Sequence, residues 1–280
     1  MHVCIVGLGL MGGSLALALK RAAWCTSITG VSRRPETLAA AAAAGAIDRG
    51  LTDLGQGVKD ADLVVLATPV RTILAQLVTV GEHARAGSVV LDLGSTKGEI
   101  CRQMARLPLH VQPLGGHPMC GREVGGFAAA QADLYEGKTF VLCPLPRTAA
   151  SALAVAREMA EATGSTVRLL SPDDHDRAVA AISHLPYLVA AALVSTVDEG
   201  GSSLAWELAA SGFRDTTRVA ASEVEMMLDI VMTNRQAILD WLKRYGGQLD
   251  ALAATLELED EDGLHALLSA VQSRRRNLRL

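Results

Sequence analysis

The sequence predicts an α/β protein in which a parallel β-sheet with helices on both faces precedes a second domain made only of helices. Short apolar segments alternate with Ala- and Leu-rich stretches over the first part of the chain, which is the pattern of βαβ units. From Ser171 onward the strand-like segments disappear, and apolar residues recur at helical spacing. We therefore expect two domains, residues 1–171 and residues 172–280.

The alternating segments define the elements of the first domain. Strands are predicted at 2–6, 26–31, 62–67, 88–93, 110–114, 139–143 and 166–170. Helices are predicted between them at 12–22, 35–43, 71–82, 97–105 and 148–163. Polar pairs such as Thr52-Asp53 are expected in the connections.

Three apolar helix faces, which begin at Leu185, Val224 and Ile238, indicate the helices of the second domain. Helices this rich in Ala, Leu and Met have more apolar faces to bury than one chain offers. This predicts a homodimer formed by the helical domain.

Composition and charge exclude several classes of protein. A formal net charge of -4 gives no reason to expect nucleic acid as a partner. The five cysteines form no C-x-x-C pair, so neither a disulfide framework nor a zinc site is indicated. Met1 leads directly into a strand, and we find no apolar stretch of roughly 18 residues, the length that spans a bilayer. We expect a cytoplasmic protein that acts on a small metabolite and binds no membrane.

The segment from Gly7 to Gly12 has the spacing G-x-G-x-x-G, after an apolar strand and at the start of an apolar helix. Gly7 allows a tight turn, Gly9 lets the backbone approach a pyrophosphate, and Gly12 lets the helix pack on the strand. This context is typical of dinucleotide binding. It predicts a Rossmann-type dinucleotide-binding domain in which Gly7, Gly9, Leu10, Met11 and Gly12 contact the cofactor.

The end of the second strand distinguishes NAD from NADP. A carboxylate there would bind the ribose 2′-hydroxyl of NAD and repel the 2′-phosphate of NADP. The chain instead has Ser32, Arg33 and Arg34, whose hydroxyl and guanidinium groups can hold a phosphate. NADP is therefore the expected cofactor, and two solvated surface arginines are the alternative interpretation.

Three further segments follow predicted strands, and open α/β sheets bind ligands at the carboxyl ends of their strands. Thr68 and Pro69 follow the predicted strand 62–67, and Ser95 follows the strand 88–93, so we expect all three to line the cofactor site. The third segment places His117 beside glycine and proline, on backbone that we expect to be exposed and rigid. Such backbone is suited to presenting a base.

Five motifs occur in order along nearly the whole chain: G-L-G-L-M-G-G-S at 7–14, D-L-G-S-T-K at 92–97, G-G-H-P-M at 115–119, S-H-L-P at 183–186 and S-G-F-R-D-T-T-R at 211–218. Together they resemble the prephenate/arogenate (cyclohexadienyl) dehydrogenases of tyrosine biosynthesis. The resemblance implies a dinucleotide-binding domain followed by a helical dimerisation domain. It also implies oxidative decarboxylation of prephenate to 4-hydroxyphenylpyruvate, or of arogenate to tyrosine.

The chemistry of that reaction explains the residue types. The substrate loses a hydroxyl proton and a hydride from one carbon while its ring carboxylate leaves as CO2, and a neutral imidazole suits the proton step. His117 matches the family's G-G-H-P histidine and is the expected base, with a pKa near the ordinary value of about 6.5. Ser95 is expected to orient His117, the substrate or the nicotinamide. No metal is needed.

The helical domain is expected to bind the substrate's carboxylates. Arg218 is the favoured clamp, because a guanidinium can hold a carboxylate through two hydrogen bonds. Arg214 is expected to pair with its neighbour Asp215. His184 is expected either to hydrogen bond the substrate or to brace the helix that starts at Pro186.

Two positions depart from the family's pattern. Tyr187 stands where some relatives have a second histidine, and Arg122 stands where a small hydroxyl residue is common. Both are candidates for contact with the substrate's side chain. Glu123 could attract the ammonium group of arogenate, or it could pair with Arg122 or Arg218. The choice between prephenate and arogenate therefore stays open.

Two other functions are alternatives. A β-hydroxyacid-type dehydrogenase would share this architecture, but such enzymes typically rely on a lysine base in the helical domain, where this sequence has only Lys243. A non-catalytic NADP-binding sensor would have no need of Ser95, His117 and Arg218 together.

Overall fold

The computed structural model describes residues 1–122, 124–201 and 203–278. The strands are β1 (His2–Val6), β2 (Ser27–Val31), β3 (Arg49–Leu51), β4 (Leu63–Leu66), β5 (Val89–Asp92), β6 (Gln112–Pro118), β7 (Thr139–Pro144) and β8 (Thr166–Leu169). The helices up to the last strand are α1 (Leu10–Arg21), α2 (Pro35–Ala43), α3 (Leu54–Val58), α4 (Val70–His83), α5 (Gly98–Met104) and α6 (Ala150–Ala162). The later helices are α7 (Pro172–Val179), α8 (Leu185–Glu199), α9 (Ser203–Leu208), α10 (Ser211–Thr217), α11 (Val224–Thr233), α12 (Arg235–Glu257) and α13 (Glu261–Asn277).

The strands form one sheet in the order β3-β2-β1-β4-β5-β6-β7-β8. Neighbouring strands run parallel except for β6 and β7, which are antiparallel. The first six strands have the order of a Rossmann fold, in which the strand order reverses between β1 and β4. Ligands bind at such a reversal, outside the carboxyl ends of the strands.

Alternating side chains of the central strands supply two hydrophobic cores, one on each face of the sheet. Val3 and Ile5 of β1 pack in one core with α1 and α6. Cys4 and Val6 pack in the other with α4 and α5. The α/β fold with helices on both faces is therefore confirmed.

Two short elements and one strand end differ from the sequence prediction. The prediction missed β3 and α3, because β3 has only three residues and lies at the edge of the sheet. Asp53, expected in a loop, caps α3 by accepting a hydrogen bond from Gln56 N–H at 2.7 Å. The predicted strand 110–114 extends in the structure to Pro118.

Among the described residues after β8, all regular secondary structure is helical, as predicted. Ser171 caps α7, and a π-helical turn, Ala180–His184, joins α7 to α8 without a break. The chain divides into a compact unit of residues Met1–Asn234 and another that begins at Arg235. The boundary at residue 171 stays a prediction.

The segment Pro172–Glu199 is long and apolar enough to cross a membrane by length and composition alone, which the sequence analysis did not anticipate. Only 22% of its most apolar window is buried. One such helix is weak evidence of spanning, because helices of proteins outside membranes pass the same test. A largely uncovered apolar helix is equally suited to contact with another protein surface.

Candidate active site

The glycine-rich loop follows β1 at the reversal of strand order. Gly7 has a φ of +94°, and its N–H donates to Val31 O at 2.9 Å. A Cβ on Gly12 would lie 1.9 Å from the Gly7 carbonyl oxygen, so this position needs glycine for packing. A Cβ on Gly9 would meet nothing within 4 Å, which leaves open space over the start of α1.

The amino end of α1 is suited to bind an anion. Its N-cap is Gly9, which offers no side chain to the first N–H groups, and its first turn holds no acidic residue. Those N–H groups and the helix dipole together favour a negative charge. Leu10 and Met11 begin this helix. The loop therefore fits the pyrophosphate of a dinucleotide.

Ser32, Arg33 and Arg34 lie between β2 and α2, beside the end of β1. Both arginines are exposed, and the Ser32 hydroxyl accepts a hydrogen bond from Arg34 N–H at 3.2 Å. The turn thus places one hydroxyl and two cationic side chains where a ribose phosphate is bound in folds of this type.

The three other predicted cofactor residues follow β4 and β5. Thr68 lies against the glycine loop, since a Cβ on Gly7 would be 2.7 Å from its Cγ2 atom, and its hydroxyl donates to Gln76 Oε1 at 2.8 Å. Pro69 is exposed at the start of α4. Ser95 is half-buried after β5, and its hydroxyl forms no hydrogen bond with the residues that the structure describes.

The expectation that His117 stands on an exposed loop is wrong. His117 lies within β6, opposite Val141 of β7, and its side chain is half-buried. The preceding glycines permit close packing, because a Cβ on Gly115 would be 2.6 Å from Cys101 Sγ and one on Gly116 would be 2.7 Å from Asp92 O. The strand therefore carries the imidazole beyond the last residues that pair with β5.

A second histidine holds the ring of His117. His117 Nδ1 lies 2.8 Å from His175 Nε2, and His175 Nδ1 lies 2.7 Å from Asp176 Oδ1. The partner of Nδ1 is thus His175 on α7, and Ser95 does not hold this nitrogen. Neither His175 nor Asp176 is among the site residues predicted from the sequence. The sequence feature that could have identified them is a pair of adjacent titratable residues, at 175 and 176, between the G-G-H-P and S-H-L-P motifs.

Asp176 connects three segments of the site. Its carboxylate accepts hydrogen bonds from Lys97 N–H and Gly98 N–H, each at 2.7 Å, as well as from His175. Burial opposes ionisation, but these hydrogen bonds lower the pKa of Asp176 below its usual value. Its backbone carbonyl accepts a hydrogen bond from Asn234 Nδ2 at 2.8 Å.

Beneath His117 lies a fully buried ion pair between Lys97 and Asp92. Asp92 also accepts hydrogen bonds from Gly94 N–H at 2.8 Å and from Gly116 N–H at 3.2 Å. Burial raises the pKa of Asp92, while Lys97 and the two N–H groups oppose that rise. The pair fixes the strand end that carries His117, because Gly116 is its immediate neighbour.

Both histidines of the predicted site are held in the neutral form. Burial is the main cause that lowers the pKa of His117 well below 6.5, and the positive charge of nearby Lys97 adds to it by repulsion. Burial likewise lowers the pKa of His184 to about 4. His184 is 2% exposed, and its Nδ1 lies 3.2 Å from Asn234 Nδ2.

The remaining predicted residues lie in helical or loop segments. Arg218 is exposed at the start of the 3-10 turn Arg218–Ala221. Arg214 Nε lies 3.3 Å from Asp215 Oδ1, with both side chains exposed. Tyr187 is half-buried at the start of α8 and packs against the core that contains α4 and α5. Arg122 is exposed, and Glu123 lies outside the described residues.

Comparison with known proteins agrees with this arrangement. Two family models match: "Prephenate dehydrogenase, nucleotide-binding domain" over residues 15–169 and "Prephenate dehydrogenase, dimerization domain" over residues 171–270. The chain is 34% identical over 285 residues to the prephenate dehydrogenase of Bacillus subtilis (strain 168), covering 99% of this chain and 76% of that protein.

Solved structures show the same similarity. The structure of prephenate dehydrogenase from Aquifex aeolicus with hydroxyphenyl propionate and NAD+ has a TM-score of 0.92 at 31% identity, covering 99% of this chain and 97% of that chain. Synechocystis arogenate dehydrogenase has a TM-score of 0.87 at 34% identity, covering 99% of each chain. The chain therefore belongs to the prephenate/arogenate dehydrogenase family, the oxidoreductases that carry out an oxidative decarboxylation in tyrosine biosynthesis.

Proposed function

We propose that the protein oxidises and decarboxylates prephenate, arogenate or both with NADP, and that His117 is the base that takes the proton of the ring hydroxyl. The observation that carries the assignment is the position of His117. It is a neutral imidazole at the carboxyl end of the sheet, held by a second histidine and surrounded by groups that disfavour its protonation.

The residues around the glycine loop fit a nicotinamide dinucleotide. The uncapped amino end of α1 would bind the pyrophosphate, and the open space at Gly9 admits it. Ser32, Arg33 and Arg34 would hold the 2′-phosphate of NADP. When bound, the cofactor supplies the hydride acceptor for the ring carbon that bears the hydroxyl.

The proton step belongs to the protein. His117 is neutral at neutral pH, because its pKa lies well below 6.5, and it can therefore accept the hydroxyl proton as the carbon is oxidised. When the ring carboxylate leaves as CO2, its bonding electrons pass into the ring and reach the same oxygen. That oxygen can recover the proton from His117 and becomes the phenol of the product.

Arg218 is our candidate for the carboxylate clamp. Its guanidinium is exposed in the segment that matches the family motif, and a bidentate contact would fix the substrate's orientation as well as its affinity. Tyr187, which is half-buried, is a candidate for contact with the rest of the substrate. His184, which is 2% exposed and contacts Asn234, is a candidate for bracing the start of α8. We further propose that the protein is cytoplasmic and functions as a homodimer.

One assay tests the assignment. Purified protein is incubated with prephenate or arogenate and with NAD or NADP, and reduced nicotinamide and released CO2 are both measured. We expect one CO2 for each cofactor reduced, and at least about tenfold higher efficiency with NADP, since a phosphate clamp worth about 1.4 kcal/mol gives that factor. Cofactor reduction without CO2, on a β-hydroxyacid, would overturn the proposal. NADP binding without turnover would favour a sensor.

A further inference from the structure

We propose that His175 and Asp176 are positioning residues that set the tautomer of His117, so that the Nε2 lone pair of His117 is free to take the substrate's proton. This inference rests on the proposed function, in which His117 is the base. It assigns a role to two buried residues that lie outside all five motifs of the sequence analysis.

The carboxylate of Asp176 is held in its ionised form. Its carboxylate accepts hydrogen bonds from two backbone N–H groups, Lys97 and Gly98, and such bonds favour the ionised form. An ionised carboxylate can only accept hydrogen bonds. The contact of 2.7 Å between Asp176 Oδ1 and His175 Nδ1 therefore requires the proton to be on Nδ1 of His175.

The proton on Nδ1 of His175 in turn determines where His117 carries its own proton. In the neutral form that we propose for His175, the ring carries its proton on Nδ1 and has an acceptor at Nε2. His175 Nε2 must then accept across the 2.8 Å contact, and His117 Nδ1 must donate. His117 in turn is left with an unprotonated Nε2. One carboxylate thus fixes the proton positions on two rings in sequence, as the buried aspartate of a serine protease triad fixes one.

The groups that face His117 from the neighbouring elements support these proton positions on His175 and His117. Lys97, from the segment after β5, is engaged by Asp92, and its positive charge disfavours a second proton on His117. His184, from the π-helical turn, is neutral, and its Nδ1 accepts from Asn234 Nδ2 at 3.2 Å. Among the described residues, Asp176 is therefore the anion that reaches His117 through a hydrogen-bonded partner.

The same contacts would stabilise His117 after it has accepted the substrate's proton and become positively charged. When His117 accepts the substrate's proton at Nε2, its Nδ1–H still donates to His175, and the carboxylate of Asp176 lies behind that ring. A charge-assisted arrangement of this kind is stronger than one between neutral groups. Asp176 also holds the backbone of Lys97 and Gly98, which couples the base to the loop that contains Ser95.

Two substitutions of His175 separate the positioning role from general support of the fold. In His175→Asn the amide can still donate to Asp176 but does not reach His117. In His175→Gln the amide oxygen can take the place of Nε2 and accept from His117 Nδ1. We expect kcat to fall by about 10²-fold in His175→Asn and to recover to within about tenfold of wild type in His175→Gln. Both variants should bind NADP with unchanged affinity in a fluorescence titration.

The tautomer itself is measured by NMR on protein without substrate. Long-range 1H–15N spectra distinguish a protonated from an unprotonated ring nitrogen, and the His117→Asn variant assigns the His117 signals. We expect an unprotonated Nε2 in wild type and in His175→Gln, and a mixture of tautomers in His175→Asn. An unchanged tautomer in His175→Asn, or a protonated Nε2 in wild type, would overturn the proposal.

A double variant separates this inference from the proposed function. If His175 acts through His117, then adding His175→Asn to His117→Asn should change kcat by less than about twofold. A further large loss would indicate a separate structural role and would overturn the inference while leaving the base assignment intact. Near-normal turnover of His117→Asn alone would instead overturn the proposed function, and the tautomer result would still stand.

Discussion

At the scale of single residues, the site depends on imidazoles that stay neutral in a buried environment. His117 and His184 both have a lowered pKa, and in both cases burial is the largest cause. A base that is unprotonated at neutral pH does not have to lose a proton before each turnover. The sequence alone predicts a pKa near 6.5 for His117, and burial in the structure lowers it well below that value.

His117→Asn tests the base directly. The substitution should lower kcat by roughly 10²–10⁴-fold, the usual range for losing general-base assistance, with little change in NADP affinity. In wild type, kcat should rise with pH through a group that titrates below pH 6.5, and the variant should lack this rise. A pH–rate profile of both proteins measures it. If the profile is unchanged in the variant, His184 is the next residue to test.

Arg218→Ala should behave differently, because it removes a proposed carboxylate clamp and leaves the base in place. We expect KM for the substrate to rise while the pH dependence of kcat stays as in wild type. Arg214→Ala is the matched control, since Arg214 belongs to the same segment and pairs with Asp215. Equal effects of the two substitutions in steady-state kinetics would contradict the assignment of Arg218.

The lowered pKa of His184 also predicts how stability depends on pH. The pKa is about 4 in the folded protein and 6.5 for an ordinary histidine, so the unfolded chain binds more protons between these values. The contribution of neutral His184 to the free energy of unfolding is therefore fully present above pH 6.5. It is lost as the pH falls toward 4, by up to about 3 kcal/mol.

Denaturant unfolding at a series of pH values measures this contribution. His184→Gln should reduce the dependence of the unfolding free energy on pH between 6.5 and 4, although part will remain because His117 shifts in the same direction. His265→Gln, at an exposed position of α13, should leave it unchanged. If the unfolding free energy depends on pH equally in wild type and in His184→Gln, His184 is not held neutral by burial.

The sequence identified His117 but could not identify its partners. Residues 171–176 read Ser-Pro-Asp-Asp-His-Asp, which is typical of a capped helix start with acidic residues in the first turn. Ser171 does cap α7, and His175 and Asp176 are buried where α7 packs beside α5 and contacts β6. Which face of a helix start becomes buried depends on tertiary contacts, and the sequence pattern does not contain them.

At the scale of elements, the sequence predicts most of the sheet because buried strands are read from continuous apolar segments. The missed strand β3 is exposed at the edge of the sheet and carries no such segment. At the glycines before His117 the sequence predicts a loop where the structure has a strand. Gly115 and Gly116 lie inside β6, and they are glycines because neighbouring atoms leave no room for a Cβ.

The turn between β2 and α2 is expected to select NADP. Replacing both Arg33 and Arg34 by Ala should raise KM for NADP about tenfold or more and leave KM for NAD nearly unchanged. Arg168→Ala is the control, because this exposed arginine lies on β8 at the opposite edge of the sheet. Equal KM changes for NAD and NADP in steady-state kinetics would show that the two arginines do not bind the 2′-phosphate.

At the scale of the whole molecule, the helices after β8 carry more apolar surface than the chain covers. Leu204 is 57% exposed, Leu208 is 71% exposed and Ile182 is 67% exposed. In the unit that begins at Arg235, Leu249, at 49%, is also exposed. Exposed apolar surface of this kind favours contact with another protein surface.

We therefore expect a homodimer in which the helical segments of two copies cover each other. Sedimentation equilibrium in buffer without detergent should give about twice the 29.3 kDa of one chain at micromolar concentration. Substituting Glu for both Leu204 and Leu208 should weaken the dimer, because association would bury two charges from each copy. Leu109→Glu is the control, since Leu109 is 84% exposed in the loop before β6. A monomeric wild type would contradict the prediction, and a chain that stays in solution only with detergent would point to a membrane role for Pro172–Glu199 instead.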